Sequence, residues 1–372
     1  MRLREFFLED FYEKHEFSTT YLLSQSDCES MTVNELLNME PGAKERFMET
    51  QLGYTEAKGS PELRQHIAAL YKHCKRDDIL VHAGAEEAIF NFMQVLLSAG
   101  EHVVYMSPAY QSLYEVAVSI GCEVSPWPLR QGISGWTLDM DELLTLIKPN
   151  TKLLVINTPH NPTGYSLSDE ELRCIADIAR ERGIFVFCDQ VYKGLEWDGQ
   201  EHSWMSDIYE NAVSLGVMSK AYGLPGLRIG WIATRSKDVY EKMLKYKYYT
   251  TICSSAPSEF LSVVALKHSA AILKRNVSII KENIDYAEPF FTKFTDAFVN
   301  NVPAAGPIAF HKLKITSGIR AFCEDLIRIK GVLLLPGDVY EADGGFFRMG
   351  YGRKNFKECL GQLDEYLSGQ KL

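Results

Sequence analysis

The chain has 372 residues, 46% hydrophobic and 24% charged, enough apolar material for two cores, and this excludes a disordered or low-complexity protein. A formal net charge of −10 disfavours a nucleic-acid partner, since nonspecific binding of that kind is mainly neutralisation of phosphates by Lys and Arg. The 8 cysteines form no Cys-x-x-Cys pair and the histidines show no helical metal-ligand spacing, so neither a disulfide framework nor a metal site is expected.

The first ten residues are interrupted by acids before an apolar signal core can form. No later apolar run approaches the roughly 18 residues of a spanning helix, so the expectation is a cytoplasmic protein with no membrane partner. Residues 3–14 have the spacing of a short amphipathic helix, and the polar stretch Tyr21 to Asn38 that follows carries no clear period. Ser60 followed by Pro61 marks a helix start, as N-cap and first helical position, with Leu63, Ile67, Leu70 and Tyr71 on one face as far as about His73.

From there strands and helices alternate: strand 79–82, helix 86–97, strand 102–106, helix 110–120, strand 123–127, strand 153–156, helix 169–182, strand 184–187, and strands at 212–217 and 229–233. Near-continuous apolar strands separated by helices predict a mostly parallel sheet covered on both faces. Past Arg235 three helical patterns follow in succession, over 237–249, 255–267 and 272–300. A smaller α+β set closes the chain: strand 308–313, helix 319–329, strands 332–335 and 346–349, helix 355–367.

Ligands of parallel sheets bind beyond the carboxyl ends of the strands, so the residues after each apolar run are the candidates. Gly84-Ala85-Glu86 opens a helix whose free N–H groups suit an anion. Tyr110 follows strand 102–106 and can stack on a planar ring. Asn161 sits in the proline-rich turn Asn157 to Gly164 and offers both a donor and an acceptor. Asp189 ends a buried strand and needs a cation, either a neighbouring Lys or Arg or a protonated ring nitrogen, with Tyr192 three residues on. Arg348, set among apolar residues, needs a carboxylate, from the protein or from a substrate.

The segment Ser219-Lys220-Ala221-Tyr222-Gly223-Leu224-Pro225-Gly226-Leu227-Arg228 lies between two apolar runs. Burial or a nearby cation keeps a lysine neutral and therefore nucleophilic, and Arg228 can clamp a phosphate by paired hydrogen bonds. Together they suit an aldehyde cofactor bearing a phosphate.

Taken in order, Tyr54, Gly84-Ala85-Glu86, Tyr110, Asn161-Pro162-Thr163-Gly164, Asp189-x-x-Tyr192, Ser219-Lys220, Arg228 and Arg348 resemble the class I/II aminotransferases, fold type I enzymes dependent on pyridoxal 5'-phosphate. The resemblance runs from about Gly53 to Arg348. It implies a large domain at 45–265 with a seven-stranded sheet, and a small α+β domain built from 1–44 and 266–372. It also implies that Lys220 holds the cofactor as a Schiff base and shuttles a proton, while Asp189 keeps the pyridine nitrogen protonated. Asn161 and Tyr192 would hold the ring oxygen and Tyr110 would stack on the ring. The phosphate would rest on Gly84, Ala85, Glu86, Ser219 and Arg228, with Tyr54 reaching in from a second subunit of a homodimer. Arg348, with Asn161, would bind the substrate carboxylate.

Two departures stand out. Val217 occupies the place three residues before the lysine where the family carries Ser or Gly, and Ser24-Gln25-Ser26-Asp27 replaces the family's Gly-x-Pro-Asp, in a region that shapes the substrate pocket. The expected function is transfer of an amino group between an amino acid and a 2-oxo acid. The alternatives are a carbon–sulfur β-lyase, which His160 would also suit, or an amino acid cyclase on the same cofactor. A cofactor-sensing regulator lacks room for its DNA-binding module, and a nicotinamide dehydrogenase is disfavoured because Gly84 does not continue as Gly-x-Gly-x-x-Gly.

Overall fold

The computed structural model describes residues 3–132, 135–197, 202–314, 318–342 and 344–369. Seven strands form one sheet, in the spatial order Ile79–His82, Gly230–Thr234, Ala212–Val217, Phe185–Asp189, Thr151–Asn157, His102–Ser107 and Glu123–Pro128. All neighbours are parallel except those of Gly230–Thr234, which runs antiparallel to both of its partners. Val103, Val155 and Phe187 point into the larger core, whereas Val104, Ile156 and Cys188 point into a second one on the opposite face. Burial on both faces is why these runs read as continuous apolar stretches instead of alternating ones.

Local signals set several helix ends. Ser168 and Glu171 form a reciprocal capping box at the start of Asp169–Arg182, and Gly183 closes that helix in the left-handed region. Ser60 caps Pro61–Ala68 through the Leu63 amide. That helix stops at Ala68, short of the expected His73, because tertiary partners take over the following backbone: the Lys72 and His73 amides donate to the Asp207 carboxylate, and Tyr71 accepts from the Trp231 indole. At the N-terminus the helix is Phe7–His15, starting later than the spacing implied, because the Phe7 amide donates to Gln111 Oε1 and the Arg4 guanidinium pairs with the buried Glu115. The Tyr110 to Ile120 helix likewise begins only at Ser112.

A second sheet of four antiparallel strands runs Phe298–Val299, Ile308–Leu313, Phe346–Gly350, Leu335–Pro336. The long helix Ser269–Lys293 ends before the expected 300, where Phe294 and Phe298 turn back onto Phe290 and the chain enters the first of these strands. The run 332–335 is divided between two sheets: Val332–Leu333 pairs in parallel with Tyr21–Leu22, and Leu335–Pro336 pairs with Phe346–Gly350. Its period of two explains how one run serves both, since Val332 and Leu334 enter the main core while Leu333 and Leu335 meet Leu8, Phe11 and Tyr12 of the N-terminal helix.

The hairpin Arg130–Gly132/Gly135–Thr137 and the helix Met140–Leu146 are additions that the apolar pattern did not signal. Among the described residues, no helix is long and apolar enough to cross a membrane, and no cluster of three or more His, Cys, Asp or Glu could hold a metal.

Candidate active site

The carboxyl ends of the central parallel strands open into a cavity of about 330 Å³, walled on the other side by the N-terminal helix and residues 25–26. Lys220 lies in the turn after Ala212–Val217, and its Nζ donates to Ser26 Oγ at 2.9 Å. Burial lowers its pKa below the ordinary lysine range, and the Arg348 charge acts in the same direction while Asp27, Glu9 and Asp189 oppose it. The amine is held toward its neutral, nucleophilic form.

Asp189 ends its strand with only 6% of its surface exposed, and its Oδ1 accepts from the Val191 amide at 3.2 Å. Burial pushes its carboxyl up to about 7, with only the Lys220 charge and the Val191 bond acting the other way. Neither Lys nor Arg pairs with it among the described residues, so the anticipated protein cation is not supplied. Asn157 ties this strand end to the next turn: its Nδ2 donates to the Asp189 carbonyl at 2.9 Å and its Oδ1 accepts from the Asn161 amide at 2.6 Å.

Arg348 is 2% exposed and meets no carboxylate among the described residues. Its Nη1 donates to Asn161 Oδ1 at 3.0 Å and to the Tyr340 hydroxyl, its Nη2 to the Tyr12 hydroxyl at 2.7 Å, and its Nε to the Ser24 carbonyl at 3.1 Å. All four acceptors are neutral. A buried guanidinium held by neutral oxygens beside a cavity is preorganised for an incoming anion.

The other end of the cavity is a backbone cradle. Helix Gly84–Leu96 begins with Gly84 at φ +83° and no side chain caps its first turn. A Cβ on Gly84 would meet Arg228 Nη2 at 2.5 Å, and one on Gly230 would meet the Gly84 carbonyl carbon at 2.6 Å. Two glycines therefore let the Arg228 guanidinium close on the helix N-terminus, where uncapped N–H groups and the helix dipole favour an anion. Arg228, at φ 51°, is exposed and has no carboxylate partner among the described residues. Ser219 and Val217 line the cavity nearby, so an apolar side chain stands where a hydroxyl was usual.

Tyr192 is buried against this centre, its phenol pushed up by burial while Arg348 pulls it down. Tyr110 lines the cavity and donates to Glu9 Oε1 at 2.8 Å. Tyr54 is 91% exposed and does not line the cavity within one chain. His160 stays outside the lining: it is buried, its Nδ1 bonds Thr163 Oγ1 at 2.8 Å, and burial pulls its pKa down to about 3.

The near wall was legible only at residues 24–27, which the family resemblance places in a pocket-shaping region; the part played by the N-terminal helix and Tyr340 was not. Leu8, Glu9 and Tyr12 of the N-terminal helix, with Glu16, Gln25 and Ser26, face the cavity, and Tyr340 braces Arg348 and Asn161. The spacing of Glu9, Tyr12 and Glu16 on one helical face was readable, but nothing local said which surface that face would meet.

Comparison with known proteins follows the same lines. The family described as Aminotransferase class I and II matches residues 21–358. Capreomycidine synthase of Streptomyces vinaceus is 28% identical over 365 residues, 97% of this chain and 93% of that protein. A probable N-acetyl-LL-diaminopimelate aminotransferase of Bacillus subtilis is 27% identical over 347 residues, 90% of this chain and 85% of that one. Among solved structures, a PLP-dependent aminotransferase from Streptococcus suis superposes with a TM-score of 0.93 at 30% identity, covering 99% of this chain and 98% of its own. The PLP-dependent cyclase OrfR gives 0.91 at 25% identity with the same coverage, 99% and 98%.

Proposed function

The chain belongs to the class I and II aminotransferases, and on that premise we propose that its cavity takes pyridoxal phosphate and an amino acid, with Lys220 as the amine that carries the cofactor and moves the substrate proton. The observation that carries this reading is the pairing, across one cavity, of a half-buried amine with a buried guanidinium whose hydrogen-bond partners among the described residues are neutral oxygens. An amino acid offers the amine and carboxylate that such a pair lacks. When bound, pyridoxal phosphate supplies an aldehyde that accepts an amino group and a protonated ring that draws electrons from the substrate's Cα.

The protein's own groups divide the work. Asp189, pushed up by burial and unpaired, fits a ring N–H cation that would hold it ionised. Asn161 and Tyr192 are placed to donate to a ring oxygen, and Tyr110 to cover one face of a ring. The Gly84, Ala85 and Glu86 amides with Arg228 and Ser219 fit the phosphate, Val217 contributing no hydroxyl. Arg348 and Asn161 would orient the substrate carboxylate, with the buried Tyr12 and Tyr340 hydroxyls holding the guanidinium in place. Gly84→Ala is expected to weaken cofactor affinity about tenfold, because left-handed backbone costs a residue with a Cβ roughly 1–2 kcal/mol and the new methyl displaces Arg228. Fluorescence titration of the cofactor measures it.

Tyr54 is exposed beside Leu52, and the Thr55 hydroxyl bonds the Ser254 carbonyl, which brings this strip next to the exposed Tyr249 and Ile252. An apolar surface of that kind supports a homodimer in which Tyr54 completes the partner's phosphate site. The division into a large domain, 45–265, and a small one, 1–44 with 266–372, follows the two sheets and belongs to the same proposal, as does a cytoplasmic location.

The two cyclase relatives keep a second reading in view, ring closure of an amino acid on the same cofactor. Single amino acids added to the holoenzyme separate the possibilities. An aminotransferase loses the cofactor's visible band and releases one 2-oxo acid per site, which is the expected result. A cyclic amino acid without oxo acid would favour the second reading, and pyruvate with ammonia would indicate a lyase.

A further inference from the structure

The aminotransferase reading gives a task to each cation of the cavity but leaves three of its carboxylates without one: Glu9, Glu16 and Glu86. Each accepts a hydrogen bond from a neutral donor, Glu9 from the Tyr110 hydroxyl at 2.8 Å, Glu16 from Gln25 Nε2 at 3.0 Å and Glu86 from Ser112 Oγ at 3.2 Å. None is in an ion pair among the described residues. Desolvation within the cavity pushes the Glu86 carboxyl up to about 7, and the charges of Glu9 and Asp189 add to the rise.

Helix geometry relates these acids to the carboxylate clamp. Glu9, Tyr12 and Glu16 lie on one face, and the Tyr12 hydroxyl holds Arg348. At a rise of ~1.5 Å per residue, Glu9 stands about 4.5 Å to one side of Tyr12 and Glu16 about 6 Å to the other. Along the helix, then, an acid lies within roughly one turn on either side of the residue that holds Arg348. Glu9 and Glu86 are the pair grouped with Tyr110 in the cavity lining: Glu9 accepts from the Tyr110 hydroxyl, and Glu86 is held by Ser112, two residues further along the chain.

The position is rigid. The Phe7 amide donates to Gln111 Oε1 at 3.0 Å, Gln111 Nε2 donates to the Glu5 carbonyl at 2.7 Å, and Arg4 pairs with Glu115 at 2.7 Å, which fastens the start of the helix to the turn that carries Tyr110. Side chains so held are preorganised and do not swing into solvent when a ligand arrives. A neutral side chain entering here would strip water from these carboxylates with nothing in exchange, and an acidic one would be repelled. A cation offsets both effects.

Resting on the reading of the cavity as an amino acid site, we propose that the substrate's side chain ends in a cation, an ammonium or guanidinium group, and that Glu9 and Glu86 are the specificity residues that bind it. The test compares kcat/KM of the holoenzyme for arginine, ornithine and lysine with norleucine and glutamate, followed by the same panel on Glu9→Gln and Glu9→Lys. The expected native preference for the basic set over norleucine is about tenfold, or about 1.4 kcal/mol, the scale of a charge pair in a cavity that is partly open to solvent. Glu9→Gln should cut that ratio about tenfold, and Glu9→Lys should turn it toward glutamate. Competitive inhibition by guanidinovalerate and by hexanoate, neither of which can react, should show the same ratio and the same loss. Norleucine or glutamate equalling the basic set, or a ratio unmoved by both substitutions, would overturn the proposal while leaving the aminotransferase reading intact. If no amino acid of any class bleaches the cofactor, the underlying reading fails, and this one with it.

Discussion

Lys220→Ala is expected to abolish turnover, lowering kcat by at least about 10⁴-fold, the upper range for loss of a single positioned proton-transfer group and here combined with loss of the nucleophile. The fold should survive. Lys220 Nζ makes one hydrogen bond, to Ser26, and burial works against its charge, so replacing it removes a desolvated polar group instead of a stabilising contact. Borohydride treatment followed by peptide mass spectrometry supplies a readout independent of rate: the native protein should retain the cofactor mass on the Lys220 peptide, and the variant should retain none. Substantial residual transamination, or labelling of a different lysine, would remove Lys220 from the centre of the reaction.

Arg348→Met should be the second most damaging change, and its signature is different. Truncating one member of a buried, hydrogen-bonded charge pair costs about 2–5 kcal/mol, so kcat/KM should fall roughly 30-fold to several thousandfold, with a clear rise in KM. The Tyr12 and Tyr340 hydroxyls and Asn161 Oδ1 lose their common partner, so thermal stability should fall too. Arg348→Lys separates the two effects: it restores a cation but not the fork that reaches Asn161 and Tyr12 together, and should recover stability more fully than catalysis. Equal kcat/KM in the native and Met forms would show that the carboxylate binds elsewhere.

The two predictions depend on residues of different legibility. Lys220, Asp189, Asn161 and Arg228 could be read directly because each follows a buried strand, and the strand ends of a parallel sheet share one rim. The apolar runs stated the sheet and Gly84 the start of a helix; the structure adds that Gly84 and Gly230 let the Arg228 guanidinium close on that helix end. Arg348 could be seen to need an anion, but whether an Asp or Glu of the protein met that need was open. The structure shows that neutral oxygens from Tyr12, Tyr340, Asn161 and Ser24, far apart in sequence, surround it.

Helix lengths erred where tertiary partners competed for backbone groups, as Asp207 does for the Lys72 and His73 amides, and a single apolar run at 332–335 was shared by two sheets because both faces of it are buried. The near wall of the cavity was the largest omission. An amphipathic helix announces that one face is apolar and where its charges lie, but not what it will be laid against, and the polar segment that brings Ser26 to Lys220 has no period at all. The sequence by itself determined the sheet and which residues follow its strands, because those depend on contacts near in the chain and repeated strand by strand. Only the tertiary structure decided which acids look into the cavity and what holds Arg348, because those depend on residues that meet only when both ends of the chain close over the rim.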